Sequence, residues 1–296
     1  MSDAEKDRHA ASGGEPPVCQ TPDASPVALP FALPPGACDC HAHIYGPPER
    51  YPYRAGRRYT PAPVGLAEYR AALAALGLTR AVIVQPTIYD DNQITLDALA
   101  ASGGQWCGIA QLKTDVSDAQ LQLLDAAGFR GVRMHTRSGL DDLELIARRV
   151  AQFGWHVQLH LDAHTLPDIG ARLARLPVPV VIDHFARIVI QQGVDQPGFR
   201  MLLTLLESGR CWVKLSAPFR LGDEVSPYAG VLPFARALVA ARPDRLIWGS
   251  DWPHSSFHGV MPNMGVLLGL VGKWAPDAGI RDMILGSNPA RLYGFE

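Results

Sequence analysis

The segment RLIWGSDWPH (245–254) is a short apolar run that ends in an aspartate and passes into a Trp-Pro turn. A carboxylate at the end of a buried strand is costly to desolvate unless partners meet it. Seven earlier runs have the same form: ACDCHAHI (37–44), RAVIVQPT (80–87), WCGIAQL (106–112), FRGVRMH (129–135), HVQLHLD (156–162), PVVIDHF (179–185) and CWVKLSA (211–217). Each is short and without strict alternation, and RAVIVQPT and PVVIDHF are rich in β-branched residues, as suits parallel strands covered on both faces. Amphipathic stretches lie between them. LAEYRAALAALG (66–77) and LDDLELIARRVAQFG (140–154) end in Gly, and VLPFARALVAAR (231–242) stops before Pro243. Gly after the last apolar turn, or Pro just beyond it, is a helix stop signal. Eight strand–helix units predict an α/β chain folded as a (β/α)8 TIM barrel. A doubly wound open sheet is the competing arrangement. Polar groups at the C-terminal ends of many different strands favour the barrel.

Composition narrows the function. The 296 residues carry 27 Lys+Arg against 29 Asp+Glu, a formal charge of −2, which excludes nucleic-acid binding driven by bulk charge. Only four of the 27 are Lys, and Arg favours planar, bidentate recognition of carboxylates. No stretch reaches the roughly 18 apolar residues of a membrane span. The polar N-terminus lacks the core of a signal peptide, so a soluble cytoplasmic protein is expected. Five Cys without a CxxC pair read as reduced, buried thiols. Residues 1–35, rich in Pro, Ala, Ser and Gly and without an apolar period, are expected to be a disordered tail. Residues 36–296 are expected to form one barrel domain.

The chemistry-bearing side chains fall at strand ends. His41 and His43 are two apart, so on a strand they share a face. Gln158, His160 and Asp162 share one face of the fifth run, His184 follows the sixth run, and Asp251 ends the eighth. For each, a packed histidine or a helix-capping carboxylate is the plainer alternative. Together they make a site.

The ordered set DCHAHIYGPPERYPY, IDHFARI and IWGSDWPH, from about residue 37 to the C-terminus, resembles the amidohydrolase superfamily, and within it the 2-pyrone-4,6-dicarboxylate lactonase group. RYTP (58–61), VQPT (84–87), FRGVR (129–133), WVKLSAPFRL (212–221) and NPARLYG (288–294) belong to the same likeness. The resemblance implies a hydrolase that opens an anionic dicarboxylate lactone during the breakdown of aromatic compounds. It implies Asp251 as general base, with His41, His43 and His184 around the ester carbonyl. It also implies Tyr59, Thr87, Arg133, Arg187 and Arg220, with Arg137, as substrate contacts, and His254, on the loop after Asp251, is a further candidate by its position. Two departures stand out. The fourth run offers Arg133 and His135 where two-metal amidohydrolases have a carboxylated Lys, which argues against two metals. His160 stands where a Tyr is expected and adds a nitrogen. His41, His43, His160, His184 and Asp251 therefore suit one divalent ion, zinc first, with metal-free catalysis as the equal alternative. A sulfonated muconolactone hydrolase, a sugar-acid lactone isomerase and a metal-dependent decarboxylase are the competing activities. The implied partner is a small anionic lactone, with neither nucleic acid nor membrane, and oligomeric state stays open.

Overall fold

A computed structural model of the chain describes residues 15–136, 139–222 and 225–295. All eight runs become strands: β1 Cys38–Ala42, β2 Arg80–Val84, β3 Trp106–Ala110, β4 Phe129–His135, β5 His156–His160, β6 Val180–Ile182, β7 Cys211–Ser216 and β8 Leu246–Gly249. They pair in parallel and in sequence order, from β1 to β8. A helix follows each strand: α1 Leu66–Leu76, α2 Gln93–Ala101, α3 Asp118–Ala126, α4 Leu143–Ala151, α5 Leu166–Leu173, α6 Pro197–Glu207, α7 Leu232–Ala241 and α8 Met264–Trp274. This is the (β/α)8 barrel that the spacing predicts. Among the described residues, no helix is long and apolar enough to cross a membrane.

Two apolar layers hold the barrel. The larger lies between strands and helices and includes Leu73, Phe129, Trp155, Phe199 and Leu238. The smaller fills the barrel axis with Cys38, Cys40, Val82, Ile109, Val181, Trp212, Ile247 and Tyr293. All five cysteines are free and buried, as expected.

The ring closes at a seam between β1 and β8. Asp39, on β1, accepts hydrogen bonds from the Ser250 backbone N–H (2.8 Å), the Ser250 hydroxyl (2.5 Å) and the Tyr69 hydroxyl of α1 (2.9 Å). The Asp251 N–H donates to the His41 carbonyl (2.8 Å), and the His43 N–H donates to the Trp252 carbonyl (2.8 Å). A side chain at Gly249 would put its Cβ 2.6 Å from the Cβ of His41, so only glycine lets the two strands approach this closely.

Residues 15–35 form no helix or long strand, yet they lie against the barrel as a strap. Val27 N–H donates to Asn263 Oδ1 (3.0 Å), and Asn263 Nδ2 donates to Asp23 Oδ2 (2.8 Å) and to the Ser25 carbonyl (2.9 Å). Asn263 also caps α8 through the N–H groups of Gly265 and Val266. The strap then crosses a row of glycines on α8. Gly265 faces the Val27 backbone, Gly269 faces Pro30 and Gly272 faces the Phe31 ring. These three positions share one helix face.

Candidate active site

A register slip aims the first two histidines. Against β2, the pairing of β1 shifts between Asp39 and Ala42. Cys38 and Cys40 pack in the axial layer, whereas Ala42 packs in the outer one. The irregularity therefore reverses the facing of the strand, and His41 and His43 point into the barrel, as a β-bulge commonly re-aims a side chain. The His43 Nδ1–H donates to the Val84 carbonyl (2.7 Å), which leaves the lone pair on Nε2. His41 Nε2 lies 3.3 Å from that atom.

His184 opens a left-handed turn. His184, Phe185, Ala186 and Arg187 all have φ between 48° and 57°. Asp251 (φ 61°), His254 (φ 62°) and Ala217 (φ 50°) lie in the same region. Each such non-glycine residue costs on the order of 1 kcal/mol or more, and these are all at the C-terminal end of the barrel. Strain of this kind is held where surrounding contacts over-determine it, and it brings His184 and Asp251 to face each other.

The result is convergence on one oxygen. Asp251 Oδ1 lies 3.7 Å from His41 Nε2, 3.8 Å from His43 Nε2 and 3.7 Å from His184 Nε2. Its other oxygen, Oδ2, accepts from Arg220 Nε at 2.8 Å. His184 Nδ1 meets the Ser216 hydroxyl at 2.8 Å. Burial by itself would raise the Asp251 pKa, but Arg220 and the imidazoles outweigh it and hold the carboxyl below its ordinary value.

Beneath this cluster lies a charged layer, of which sequence reasoning singled out Arg133 and Gln158 but not Asp183 or Lys214. Asp183 is fully buried and accepts from Arg133 Nε (2.9 Å) and from Gln158 Nε2 (3.1 Å). Lys214, also fully buried, donates to Gln158 Oε1 (2.8 Å) and lies 3.5 Å from Asp183 Oδ1. His41 Nδ1 sits 3.3 Å from both Asp183 Oδ1 and Lys214 Nζ. Burial would raise Asp183, but Arg133 and Lys214 override it and keep the carboxyl well below the usual range. The signal for Asp183 was present: an Asp after a β-branched run, as for Asp251. For Lys214 it was a charge inside CWVKLSA, on the face shared by Trp212 and Ser216.

The remaining candidates take different places. Arg187 Nε pairs with Asp162 Oδ1 at 2.9 Å. The Tyr59 hydroxyl meets that of Tyr45 (2.9 Å), which meets the Ser255 Oγ (2.8 Å). His254 is buried, its ring against Phe219. Thr87 is half-buried, and its carbonyl accepts from Arg54. Arg137 lies outside the described residues. His160 sits beside His135 (ring centroids 4.9 Å apart) and 5.8 Å from His184. Among the described residues, the possible metal ligands that come within 4.8 Å of one another are His41, His184 and Asp251, without His160.

The donor set fits a divalent ion. Two imidazole nitrogens and a carboxylate oxygen converge, with His43 Nε2 beside them. His43 is backed by a carbonyl and His41 by the Asp183 carboxylate, the usual outer partners of ligating histidines. A groove of about 1050 Å³ at the opposite end, bordered by Arg80, Trp106, Arg130 and Phe295, is remote from this chemistry.

Acid should destabilise the fold. Burial pushes His156 down to about 3 and His254 down to about 4. Both stay neutral in the fold while the unfolded chain takes up protons below about 6.5. Stability is then complete above that pH and is lost as pH falls toward the folded values. One imidazole carried from pH 7 to 4.5 costs roughly 2–3 kcal/mol. Asp39, which burial raises to about 6, titrates in the opposite sense and offsets part of this. Urea titrations at the two pH values should show the loss. Equal stability at both would mean that these imidazoles are not held neutral.

Comparison with known proteins shows the family. Residues 38–295 match the amidohydrolase family model. A 2-pyrone-4,6-dicarboxylate hydrolase of Comamonas testosteroni is 39% identical over 286 residues, which cover 91% of this chain and 94% of that protein. A 4-sulfomuconolactone hydrolase of Hydrogenophaga intermedia is 38% identical over 288 residues, covering 94% and 95%. The crystal structure of a "probable 2-pyrone-4,6-dicarboxylic acid hydrolase" of Acinetobacter baumannii, with citric acid bound, superposes with a TM-score of 0.78 at 27% identity. It covers 88% of this chain and 100% of that one. The family match runs from β1 to residue 295 and spans every member of the histidine–aspartate cluster, so the chain belongs to the amidohydrolase family.

Proposed function

We propose that this protein hydrolyses lactones that carry further anionic groups, with Asp251 as the general base. The observation that carries the reading is Asp251, with one oxygen fixed by Arg220 and the other facing three imidazoles. The carboxyl is held in its basic form. A water between Oδ1 and the ester carbonyl gives its proton to Oδ1 as the new C–O bond forms. The protonated carboxyl then returns that proton to the ring oxygen as the ester bond breaks. His41, His43 and His184 surround the place where negative charge develops and orient the carbonyl. A divalent ion held by His41, His184 and Asp251, with His43 alongside, would polarise the same carbonyl when bound.

Arg133, Arg187, Arg220 and Tyr59 supply the anion side. Relatives named for dicarboxylate and sulfonated lactones support that choice. Each guanidinium already engages an aspartate through Nε, so the arginines also position acids within the site.

A panel of lactones followed by base titration tests the reading. Hydrolysis releases one acid equivalent per turnover, isomerisation releases none, and decarboxylation yields CO2. Charge-assisted hydrogen bonds contribute about 1.5–3 kcal/mol. Anionic lactones should therefore exceed neutral ones of the same ring size roughly 10–150-fold in kcat/KM. Equal rates on both would overturn the anionic assignment. Elemental analysis of protein purified without added metal should find about one zinc per chain, with activity lost in chelator. Full activity in chelator, with metal well below stoichiometric, would make the imidazoles hydrogen-bond donors instead.

A further inference from the structure

We propose that residues 16–19 are a positioning element of the active site, clamping two mouth segments that are distant in sequence. The inference rests on the reading above that Tyr59 and Arg220 face the lactone. Pro17 and Cys19 bracket Thr60: its N–H donates to the Pro17 carbonyl (2.9 Å), and the Cys19 N–H donates to its carbonyl (2.8 Å). The Thr60 hydroxyl donates to the Pro16 carbonyl (3.2 Å), and Val18 and Thr60 form a parallel bridge. Thr60 follows Tyr59 directly. The buried Cys19 sulfur accepts the Ser256 N–H at 3.3 Å. Ser256 follows Ser255, whose carbonyl accepts from Arg220 (2.7 Å) and whose hydroxyl meets Tyr45, the partner of Tyr59. The loop of contacts thus closes from the strap through Thr60, Tyr59, Tyr45 and Ser255 back to Ser256 and the strap. Arg220, within reach of that loop, holds Asp251.

The strap can bear this load because its other half is fixed. Asn263 ties Asp23, Ser25 and Val27 to the start of α8. Without the Cys19 and Thr60 contacts, Tyr59 and the 255–256 loop are joined through Tyr45 alone, while the strands below keep their pairing. Binding should suffer more than the chemical step.

Full-length Cys19→Ala, Cys19→Ser and Thr60→Val variants test the clamp. Cys19→Ala loses one neutral hydrogen bond, whereas Thr60→Val loses two bonds, to the Pro16 carbonyl and from Arg57. KM for an anionic lactone should rise about three- to tenfold in Cys19→Ala and at least as much in Thr60→Val, with kcat within about twofold. Serine retains an acceptor, so Cys19→Ser should return KM to near the parent value. Hydrogen exchange should accelerate in segments 57–62 and 254–258 in the alanine and valine variants and stay slow in the serine variant. Unchanged exchange in both segments, or a fall in kcat with KM constant, would overturn the proposal. The exchange measurement needs no substrate, so it decides the clamp whether or not the lactone assignment stands.

Discussion

Asp251→Asn is expected to fold normally and to lose at least about 10²-fold in kcat, the lower end of general-base contributions. Asparagine is nearly isosteric and tolerates the left-handed backbone found here (φ 61°) better than most residues. Its amide oxygen can still accept from Arg220. What disappears is the basic oxygen that faces His41, His43 and His184. KM should change little, because Asp251 acts on the water and not on the remote anions. Circular dichroism and steady-state kinetics on the same preparation decide the matter. A folded variant turning over at a near-normal rate would place the base elsewhere.

Asp183→Asn should instead attack the scaffold. Arg133 and Lys214, 8% and 0% exposed, share this one carboxylate. Removing its charge leaves two buried cations facing each other across a neutral amide. Breaking a buried pair in this way costs about 3–5 kcal/mol. For a chain of this size that is a fall in Tm of roughly 6–15 °C. Lys214→Met in the same background should recover part of the loss, since it removes one of the stranded charges; a double-mutant cycle measures the coupling. A loss below about 1 kcal/mol, or no recovery in the double variant, would show that the charges are not coupled as described.

The strands were legible because parallel, doubly covered strands leave short apolar runs at helix-length spacing. The HxH pair, His184 and Asp251 were legible because they sit at run ends. What escaped were groups whose role depends on neighbours from other strands. Gln158 reads as one polar residue on a strand face until Lys214 and Asp183 arrive from β7 and β6 to meet it. His160 shares that face, yet it turns to His135 and stays out of the cluster. The strap escaped for another reason. An extended segment has no period of its own when its contacts are made by Pro30, Phe31 and backbone atoms. The readable signal lay on the other partner, in the glycines of MGVLLGLVGKW at 265, 269 and 272.

The seam at Asp39 and Ser250 sets when, during synthesis, this protein can first work. These residues are 211 positions apart, and the seam between them is also the site: His41 and His43 lie on one side, Asp251 on the other. A nascent chain emerging from the ribosome can stack β1 to β7 pairwise without owning a base. Neither ring nor reactive centre exists until β8 and the loop after it have cleared the exit tunnel. Onset of turnover in a synchronised translation reaction should therefore coincide with completion of the barrel, and chains stalled before residue 245 should be inert however well their earlier strands have paired.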